Sequence, residues 1–264
     1  MTVAVGSWDV THIPGRPQPP RSRRWAVAVT TRHSGEALLA CWSGTTDPAG
    51  RAALGILVNA VRHDAPSVDV HDLPADQLGT NEPDSPSGPP IRVAVPLTLT
   101  AGTDVADDLR TARRHDPTIR IAPALGPDWS LAELCVQRLI EAGTRKDDTI
   151  VLGVAGSHDD AAINGYSRSA QLLSAVWGGP VHLGSIDGCD TPLADAVDIA
   201  RAYGRRVVVA SYLLTPGRHA DLLRHCGADL VTAPLLDGGP ADHRLVSLVI
   251  TRFHQALDLG VRIL

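Results

Sequence analysis

The segment LTLTAG at Leu97–Gly102 returns later in the chain as LLTPG at Leu213–Gly217. Each copy follows an apolar run, which covers Val93–Leu97 in the first case and Val207–Ala210 in the second. Each copy also precedes a pattern typical of the start of a helix. A strand, a glycine turn and a helix start therefore recur. The recurrence predicts two copies of one α/β unit, with the working surface where they face each other.

A second pair of segments repeats with a similar spacing. CWSGTTD at Cys41–Asp47 aligns with GVAGSHD at Gly153–Asp159. Around both pairs, short apolar runs alternate with amphipathic stretches, which is the pattern of parallel strands covered by helices. We therefore predict an α/β fold of two duplicated parallel-sheet lobes with helices on both faces. The predicted strands cover 37–42, 68–71, 91–97 and 118–122 in the first half and 150–155, 181–186, 206–210 and 229–232 in the second.

Composition shifts along the chain predict its domain organisation. Residues 1–35 are rich in proline and carry a basic cluster, so we expect a flexible N-terminal leader there. The polar connector Gly143–Asp148 separates a first lobe, 36–146, from a second, 147–264. The segment Asp72–Pro90 is rich in Pro, Asp, Gly and Ser and has no sequence match in the second half, so we predict a mobile insertion.

Two helix starts carry capping patterns. Asp47 and Pro48 predict the start of the first helix, because an N-cap carboxylate accepts hydrogen bonds from free backbone N–H groups and proline suits the first turn. Ser130 and Glu133 have the spacing of a capping box. This spacing predicts a later helix that begins at Ser130 and ends near Gly143.

The composition argues against several classes of function. Of the 264 residues, 44% are hydrophobic and 20% are charged, which is enough apolar content for a large core. Aromatic residues make up 3% and the net charge is −5, which argues against a nucleic-acid partner or an anionic membrane surface. No apolar run approaches the roughly 18 residues of a membrane helix, and no signal peptide is recognisable. We therefore expect a cytoplasmic monomer or homodimer.

Cysteine spacing and missing motifs exclude further chemistry. The sequence contains no P-loop, GxGxxG fingerprint, GxSxG elbow or HExxH helix, so nucleotide-dependent, hydride-transfer, hydrolase-fold and zincin chemistry lacks a motif. No CxxC or zinc-like spacing is present either. We expect reduced, buried thiols at the four cysteines, Cys41, Cys135, Cys189 and Cys226.

The expected ligand site lies at the turns beyond the carboxyl ends of the strands. In open α/β sheets these turns supply backbone N–H groups to a bound ligand. The repeated segments are themselves such turns, and they cover Ser43–Asp47, Thr98–Asp104, Ala155–Asp159 and Leu214–His219. Glycine permits tight turns and close approach of backbone to ligand. We therefore expect substrate binding at the glycines of these turns, Gly44, Gly102, Gly156 and Gly217.

At these turns the chain resembles the class II chelatases, the ATP-independent sirohydrochlorin cobaltochelatases and ferrochelatases. The resemblance covers about residues 36 to 258 and rests on segments in the same order, Leu38–Gly50, Val95–Gly102, Leu125–Asp128, Ala155–Asp159 and Ser211–Gly217. It implies a protein that binds a carboxylate-rich tetrapyrrole such as sirohydrochlorin and inserts Co²⁺ or Fe²⁺. The metal is then a substrate, and no cofactor is bound permanently.

Both metal-site histidines of the family are replaced in this chain. The first aligns with Ser43 and the second with Asp104, and Trp42 stands where the family has a small glycine. The resemblance assigns metal binding and proton uptake to those two positions, so Ser43 and Asp104 are the catalytic candidates it implies. The family's carboxylate after the second strand has no clear counterpart within 72–90, where Glu82 is the only glutamate.

One histidine survives at the equivalent position of the second copy. His219 corresponds to Asp104. If the copies face each other about a pseudo-two-fold axis, these two side chains meet in one cleft as a carboxylate–imidazole pair for a metal or a proton. Their alternative role is to stabilise the helices that begin there. His158 is a further candidate metal ligand, and Arg218 is a candidate for binding substrate carboxylates.

These residues lead to one expectation and two alternatives. The expectation is a chelatase-type lyase of cobalamin or siroheme biosynthesis, with Asp104 and His219 in place of the usual histidine pair. The first alternative is a divergent homologue that acts on another small molecule without metal insertion. The second is a non-catalytic protein that binds a metal or a tetrapyrrole. The missing histidines distinguish these three hypotheses. Only metal insertion requires other side chains to take over the histidines' role.

Overall fold

The computed structural model describes residues 35–43, 47–78, 91–102, 104–188, 191–203 and 205–261, and these belong to one compact unit. The leader predicted over 1–35 lies outside the described residues apart from Gly35. None of the helices in the described ranges is long and apolar enough to cross a membrane. The division of the chain into lobes at residue 146 stays a prediction.

The first half of the chain forms a four-stranded sheet in the order β2-β1-β3-β4, and every pair of neighbours is parallel. Leu38 in the central strand β1 pairs with Val70 on one side and with Val93 on the other. The elements in chain order are β1 (Glu36–Trp42), α1 (Pro48–Asp64), β2 (Asp69–Pro74), a 3₁₀ turn (Ala75–Gln77), β3 (Ile91–Pro96), α2 (Asp104–His115), β4 (Ile119–Ile121) and α3 (Trp129–Glu141).

The second half repeats this plan with a parallel sheet in the order β6-β5-β7-β8. The order equals that of the first sheet when each strand number is raised by four. The elements are β5 (Thr149–Val154), α4 (Asp160–Trp177), β6 (Val181–Ser185), α5 (Leu193–Arg201), β7 (Val207–Ser211), α6 (Arg218–Arg224), β8 (Leu230–Val231) and α7 (His243–Val261). The predicted fold of two duplicated parallel sheets with helices on both faces is confirmed.

Aspartate caps begin the helices that follow the first strand of each half. The Asp47 carboxylate accepts hydrogen bonds from the N–H groups of Ala49 at 2.9 Å and Gly50 at 3.1 Å. Asp159 accepts equivalent bonds from Ala161 at 2.8 Å and Ala162 at 3.1 Å. The predicted cap at Asp47 is confirmed, and the same side chain performs the same task in both halves.

The predicted start of α3 at Ser130 is wrong. Asp128 is the N-cap, and its carboxylate accepts a hydrogen bond from the Ser130 N–H at 2.9 Å. Its extended backbone, with φ −149° and ψ 148°, lets the side chain reach forward over the first turn. Ser130 therefore already lies inside the helix.

The mobile insertion predicted over Asp72–Pro90 is wrong for the residues that the structure describes there. Asp72 belongs to β2, and the 3₁₀ turn that follows is flanked by buried Ala75 and Leu78, which pack with the buried face of α2. This connection from β2 to β3 is the counterpart of the β6-to-β7 connection, which carries α5. Parallel strands require such a crossover in both halves. Residues 79–90 lie outside the described residues.

One hydrophobic core is shared by the two sheets. α1 packs on α7 and α3 packs on α4, so helices from both halves lie between the sheets. Leu38 of β1 and Ile150 of β5 are fully buried in this common core, together with Phe253 of α7. Smaller apolar clusters cover the outer face of each sheet. The halves are therefore joined by buried apolar surface, which is the dominant favourable term in folding.

One arginine from each half donates hydrogen bonds to the loop that follows the last strand of the other half. Arg252 of α7 donates hydrogen bonds to the carbonyls of Ala124 at 2.9 Å and Leu125 at 2.7 Å. Arg138 of α3 donates to the carbonyl of Leu235 at 3.2 Å. Since α3 and α7 are the equivalent helices of the two halves, the exchange is reciprocal. We call this pair the cross-lobe arginines.

The predicted reduced thiols are confirmed at two of the four cysteine positions. Cys41 and Cys135 are free and buried, and burial raises the pKa of each thiol to about 12. Cys226 is free and partly buried. Cys189 lies outside the described residues.

Candidate functional site

A cleft of about 700 Å³ opens where the end of β1 and the start of α1 face the turn after β7. Both sides of the cleft lie at the carboxyl ends of central strands, which is where open parallel sheets bind ligands. The first half contributes Ser43, Asp47 and Pro48, and the second half contributes the run Leu213–His219. We call this space the β1/β7 cleft.

A second, smaller pocket of about 280 Å³ occupies the corresponding place on the other side. It lies between the turn after β3, with Thr98 and Gly102, and the start of α4, with Asp159. Each opening therefore combines the first turn of one half with the third turn of the other. The duplication produces two related openings rather than one, and we call the smaller one the β3/β5 pocket.

Glycine is required where the two halves touch. Gly102 has φ +70°, and a Cβ built on it would lie 1.9 Å from the Asp159 Oδ1. Gly217 has φ +138°, and a Cβ there would lie 3.3 Å from the Asp47 Cγ. The same pair, a turn glycine against a helix-capping aspartate, thus recurs in both halves. This contact explains both glycines without a ligand.

The substrate-binding role expected for the turn glycines stays a prediction. Gly217 lines the β1/β7 cleft and Gly102 lines the β3/β5 pocket. A Cβ at Gly156 would lie 1.5 Å from the Asp187 carbonyl oxygen, so this glycine admits the neighbouring loop of its own half. Gly44 lies outside the described residues.

Three of the predicted side chains share the β1/β7 cleft. Ser43 lies exposed just after β1, and Arg218 and His219 are the first two residues of α6. Within the described residues, neither the Arg218 nor the His219 side chain forms a hydrogen bond or an ion pair. A guanidinium, an imidazole and a hydroxyl are thus available to a ligand. These groups can bind carboxylates and exchange protons.

The other two predicted metal ligands lie at other turns. Asp104 is the exposed first residue of α2, and it does not line the β1/β7 cleft or the β3/β5 pocket. Burial raises the pKa of nearby Asp108, and the charges of Asp76 and Asp104 raise it further. His158 is exposed beside the cap of α4. The pairing of Asp104 with His219 therefore stays a prediction.

The structure shows no ready-made metal centre among the residues it describes. No group of three or more His, Cys, Asp or Glu side chains in those ranges is arranged to hold an ion. Trp42, the last residue of β1, is partly buried and packs against the common core. Any metal bound in the β1/β7 cleft would therefore have few protein ligands.

A buried tyrosine behind the cleft was missed by the sequence analysis. Tyr212 follows β7 directly, and its hydroxyl donates to the Leu99 carbonyl at 3.4 Å and accepts from the Ser169 hydroxyl at 3.0 Å. Burial raises its pKa. It holds the turn after β7 against the turn after β3. The sequence analysis included Tyr212 in the resemblance segment Ser211–Gly217 but assigned it no role.

This architecture defines the fold class of the protein. Two duplicated four-stranded parallel sheets, with a cleft at their carboxyl ends, form the chelatase-like α/β fold, and solved structures of this class match the chain. SirB from Bacillus subtilis with Fe³⁺ superimposes with a TM-score of 0.64 at 16% identity, over 84% of this chain and 95% of that chain. The sirohydrochlorin chelatase SirB from Bacillus subtilis subspecies spizizenii in complex with cobalt has a TM-score of 0.60 at 13% identity, over 84% and 95%.

A third relative extends the likeness. CbiX, the terminal enzyme for biosynthesis of siroheme in denitrifying bacteria, matches with a TM-score of 0.57 at 18% identity, over 82% of this chain and 98% of that chain. The sequence matches no protein-family model, and no curated protein matches it significantly. At these identities the likeness establishes the chelatase-like fold.

Proposed function

We propose that the protein binds a carboxylate-rich tetrapyrrole such as sirohydrochlorin in the β1/β7 cleft and inserts Co²⁺ or Fe²⁺ into it. The observation that carries the proposal is the cleft itself, about 700 Å³ in volume, with Arg218 and His219 at its edge. The fold supports it, because the matching structures are named as a sirohydrochlorin chelatase and an enzyme of siroheme biosynthesis.

The chemistry assigns a distinct task to each side chain. Metal insertion requires the macrocycle to lose two protons. An imidazole such as His219 can accept one near neutral pH, and the other passes to solvent water in the open cleft. Arg218 presents a planar fork of N–H donors that suits a carboxylate of the substrate. Ser43 can donate or accept one hydrogen bond to orient it. Asp104 is the further metal ligand that the family resemblance implies, although it begins α2 and lies outside the lining of the β1/β7 cleft. Few ligands with open positions suit an ion that passes through.

A second candidate function is tetrapyrrole binding without metal insertion. It is favoured by the shortage of ligands, since the described residues contain no group of three possible metal ligands. The family resemblance also aligns its two metal-site histidines with Ser43 and Asp104, and neither of these is a histidine. Arg218 and the cleft serve this function equally well. The two candidates differ only in whether His219 takes part in chemistry.

The anaerobic absorbance spectrum of sirohydrochlorin with Co²⁺ and catalytic amounts of protein tests the proposal. We expect metallation faster than the protein-free blank, and a loss of this acceleration in His219→Ala. His63→Ala is the matched control, since His63 is exposed at the end of α1 and away from the cleft lining. A spectral shift without metallation would support the second candidate. No shift and no acceleration would contradict both.

A further inference from the structure

A third pocket, of about 270 Å³, lies at the opposite end of the second sheet. It adjoins Thr149, the first residue of β5, whereas the β1/β7 cleft lies at the carboxyl ends of the strands. Its lining shares no residue with that cleft. The lining combines aromatic rings, Trp177, His182 and Tyr203, with two cations, Lys146 and Arg205. We call it the amino-end pocket.

The aromatic side of the pocket is partly open. The rings of His182 and Tyr203 lie with their centroids 5.6 Å apart and their planes at 40°. Tyr203 is 64% exposed, although a large ring normally packs against other apolar groups. The two tilted rings form an aromatic corner, in which a third flat ring can stack on the exposed Tyr203 and contact His182.

The cationic side lacks a carboxylate partner. Lys146 Nζ lies 5.2 Å from the centre of the Trp177 ring and donates a hydrogen bond to the Trp177 carbonyl at 3.3 Å. Within the described ranges, neither Lys146 nor Arg205 forms an ion pair. Asp148 also lines the pocket, but its carboxylate already accepts hydrogen bonds from Arg206 at 2.6 Å. The lining therefore carries two cations without an ion-pair partner, beside one carboxylate that is already paired with Arg206.

We propose that the amino-end pocket binds a small aromatic anion, a single flat ring that bears a carboxylate or a phosphate. The ring would stack on Tyr203 and His182, and the anionic group would accept hydrogen bonds from Arg205 and Lys146. A volume of about 270 Å³ is slightly below the roughly 300–1,000 Å³ of drug-sized sites, which suits one ring and one anionic group. This proposal does not rest on the function proposed for the β1/β7 cleft.

Calorimetric titration of the full-length protein with benzoate and with phenyl phosphate tests the proposal. These probes share a ring and differ in the anionic group, so the two titrations distinguish the carboxylate source from the phosphate source. Benzamide and inorganic phosphate are the controls, because the first lacks the charge and the second lacks the ring. We expect at least one aromatic anion to bind more tightly than both controls, and its affinity to fall as salt rises.

Two exposed side chains test the geometry. Arg205→Gln should weaken binding roughly ten- to hundredfold, the value of a charged hydrogen bond. Tyr203→Leu should weaken it roughly two- to tenfold through loss of stacking. The matched controls are Arg113→Gln, which removes an exposed arginine from α2, and Trp129→Leu, which removes an exposed ring from α3. Both controls should retain wild-type affinity.

Three results would overturn the proposal. The first is no heat of binding from either aromatic anion at millimolar concentration. The second is inorganic phosphate or benzamide that binds as tightly as the aromatic anions. The third is a loss of affinity in Arg113→Gln as large as that in Arg205→Gln, which would indicate a general effect of net charge.

Discussion

The two halves of the molecule agree in their framework and differ at their exposed edges. Both have the same strand order, the same aspartate cap on the first helix and the same cross-lobe arginine. At the turns, the first half carries Ser43 and Asp104, whereas the second carries Arg218 and His219. The comparison teaches that buried contacts shared by both halves preserve the framework, while exposed turn residues are free to diverge.

The largest effect is expected in the common core. Leu38 of β1 and Ile150 of β5 align in the duplication and are both fully buried. Leu38→Ala and Ile150→Ala should each lower the free energy of unfolding by about 2–5 kcal/mol, because each leaves a cavity. Urea unfolding followed by circular dichroism should show one transition in both variants. Two separate transitions would mean that the halves are stable independently, contrary to a shared core.

The cross-lobe arginines should give effects of intermediate size on the free energy of unfolding. Arg252→Ala removes hydrogen bonds from a side chain that is 11% exposed, and it should cost about 1.5–3 kcal/mol in the free energy of unfolding. Arg138→Ala should cost less, since its Nε is buried without a hydrogen bond among the described residues. Chemical denaturation of both variants measures the difference. Equal or reversed costs would contradict the expectation that the unpaired Arg138 Nε makes this arginine the weaker contact.

The helix caps should give a smaller and nearly equal effect. Asp47→Ala and Asp159→Ala each remove two backbone hydrogen bonds from a helix start, and each should cost about 1 kcal/mol. Asp47→Asn and Asp159→Asn are the controls, because asparagine also caps helices. Thermal melting of the four variants tests this. A strongly unequal loss of stability in the two alanine variants would contradict the equivalence of the two caps.

The smallest effect is the pH dependence that Asp148 of the second half contributes. Burial would raise the pKa of Asp148, but hydrogen bonds from Arg206 and from the Arg145 N–H outweigh it, so the pKa is lowered overall. A carboxylate with a lowered pKa stabilises the fold above its unfolded pKa of about 4 and loses that contribution as the pH falls through its folded pKa. Asp148→Asn should flatten the decline of the urea midpoint below about pH 4. An unchanged decline would contradict this.

Elements with a local physical signal were predicted well. Strands β1 and β3 were predicted within a residue or two of their limits, because continuous apolar runs mark buried parallel strands. The cap at Asp47 was also predicted, since it depends only on the next few residues. The start of α3 was missed because two neighbouring residues, Asp128 and Ser130, can both cap a helix, and the backbone angles decide which one does.

Features that depend on contacts between the halves were not predicted. Neither the cross-lobe arginines nor the Tyr212 hydrogen bonds have a local sequence signal, since their partners lie roughly a hundred residues away along the chain. The candidate site was predicted in part. The turns were identified, and His219 and Arg218 do line a cleft with Ser43. The pairing of His219 with Asp104 depends on how the halves pack, which no local pattern contains.

The sequence by itself determined the α/β class and the duplication. Apolar periodicity and repeated turns are local properties, so they can be recognised without the tertiary structure. The tertiary structure alone decided which turns meet. It brought the end of β1 and the start of α1 against the turn after β7, and the turn after β3 against the start of α4, so that one duplication formed two openings. The physical reason is that the common core fixes the relative position of the sheets, and this position decides which exposed side chains can act together.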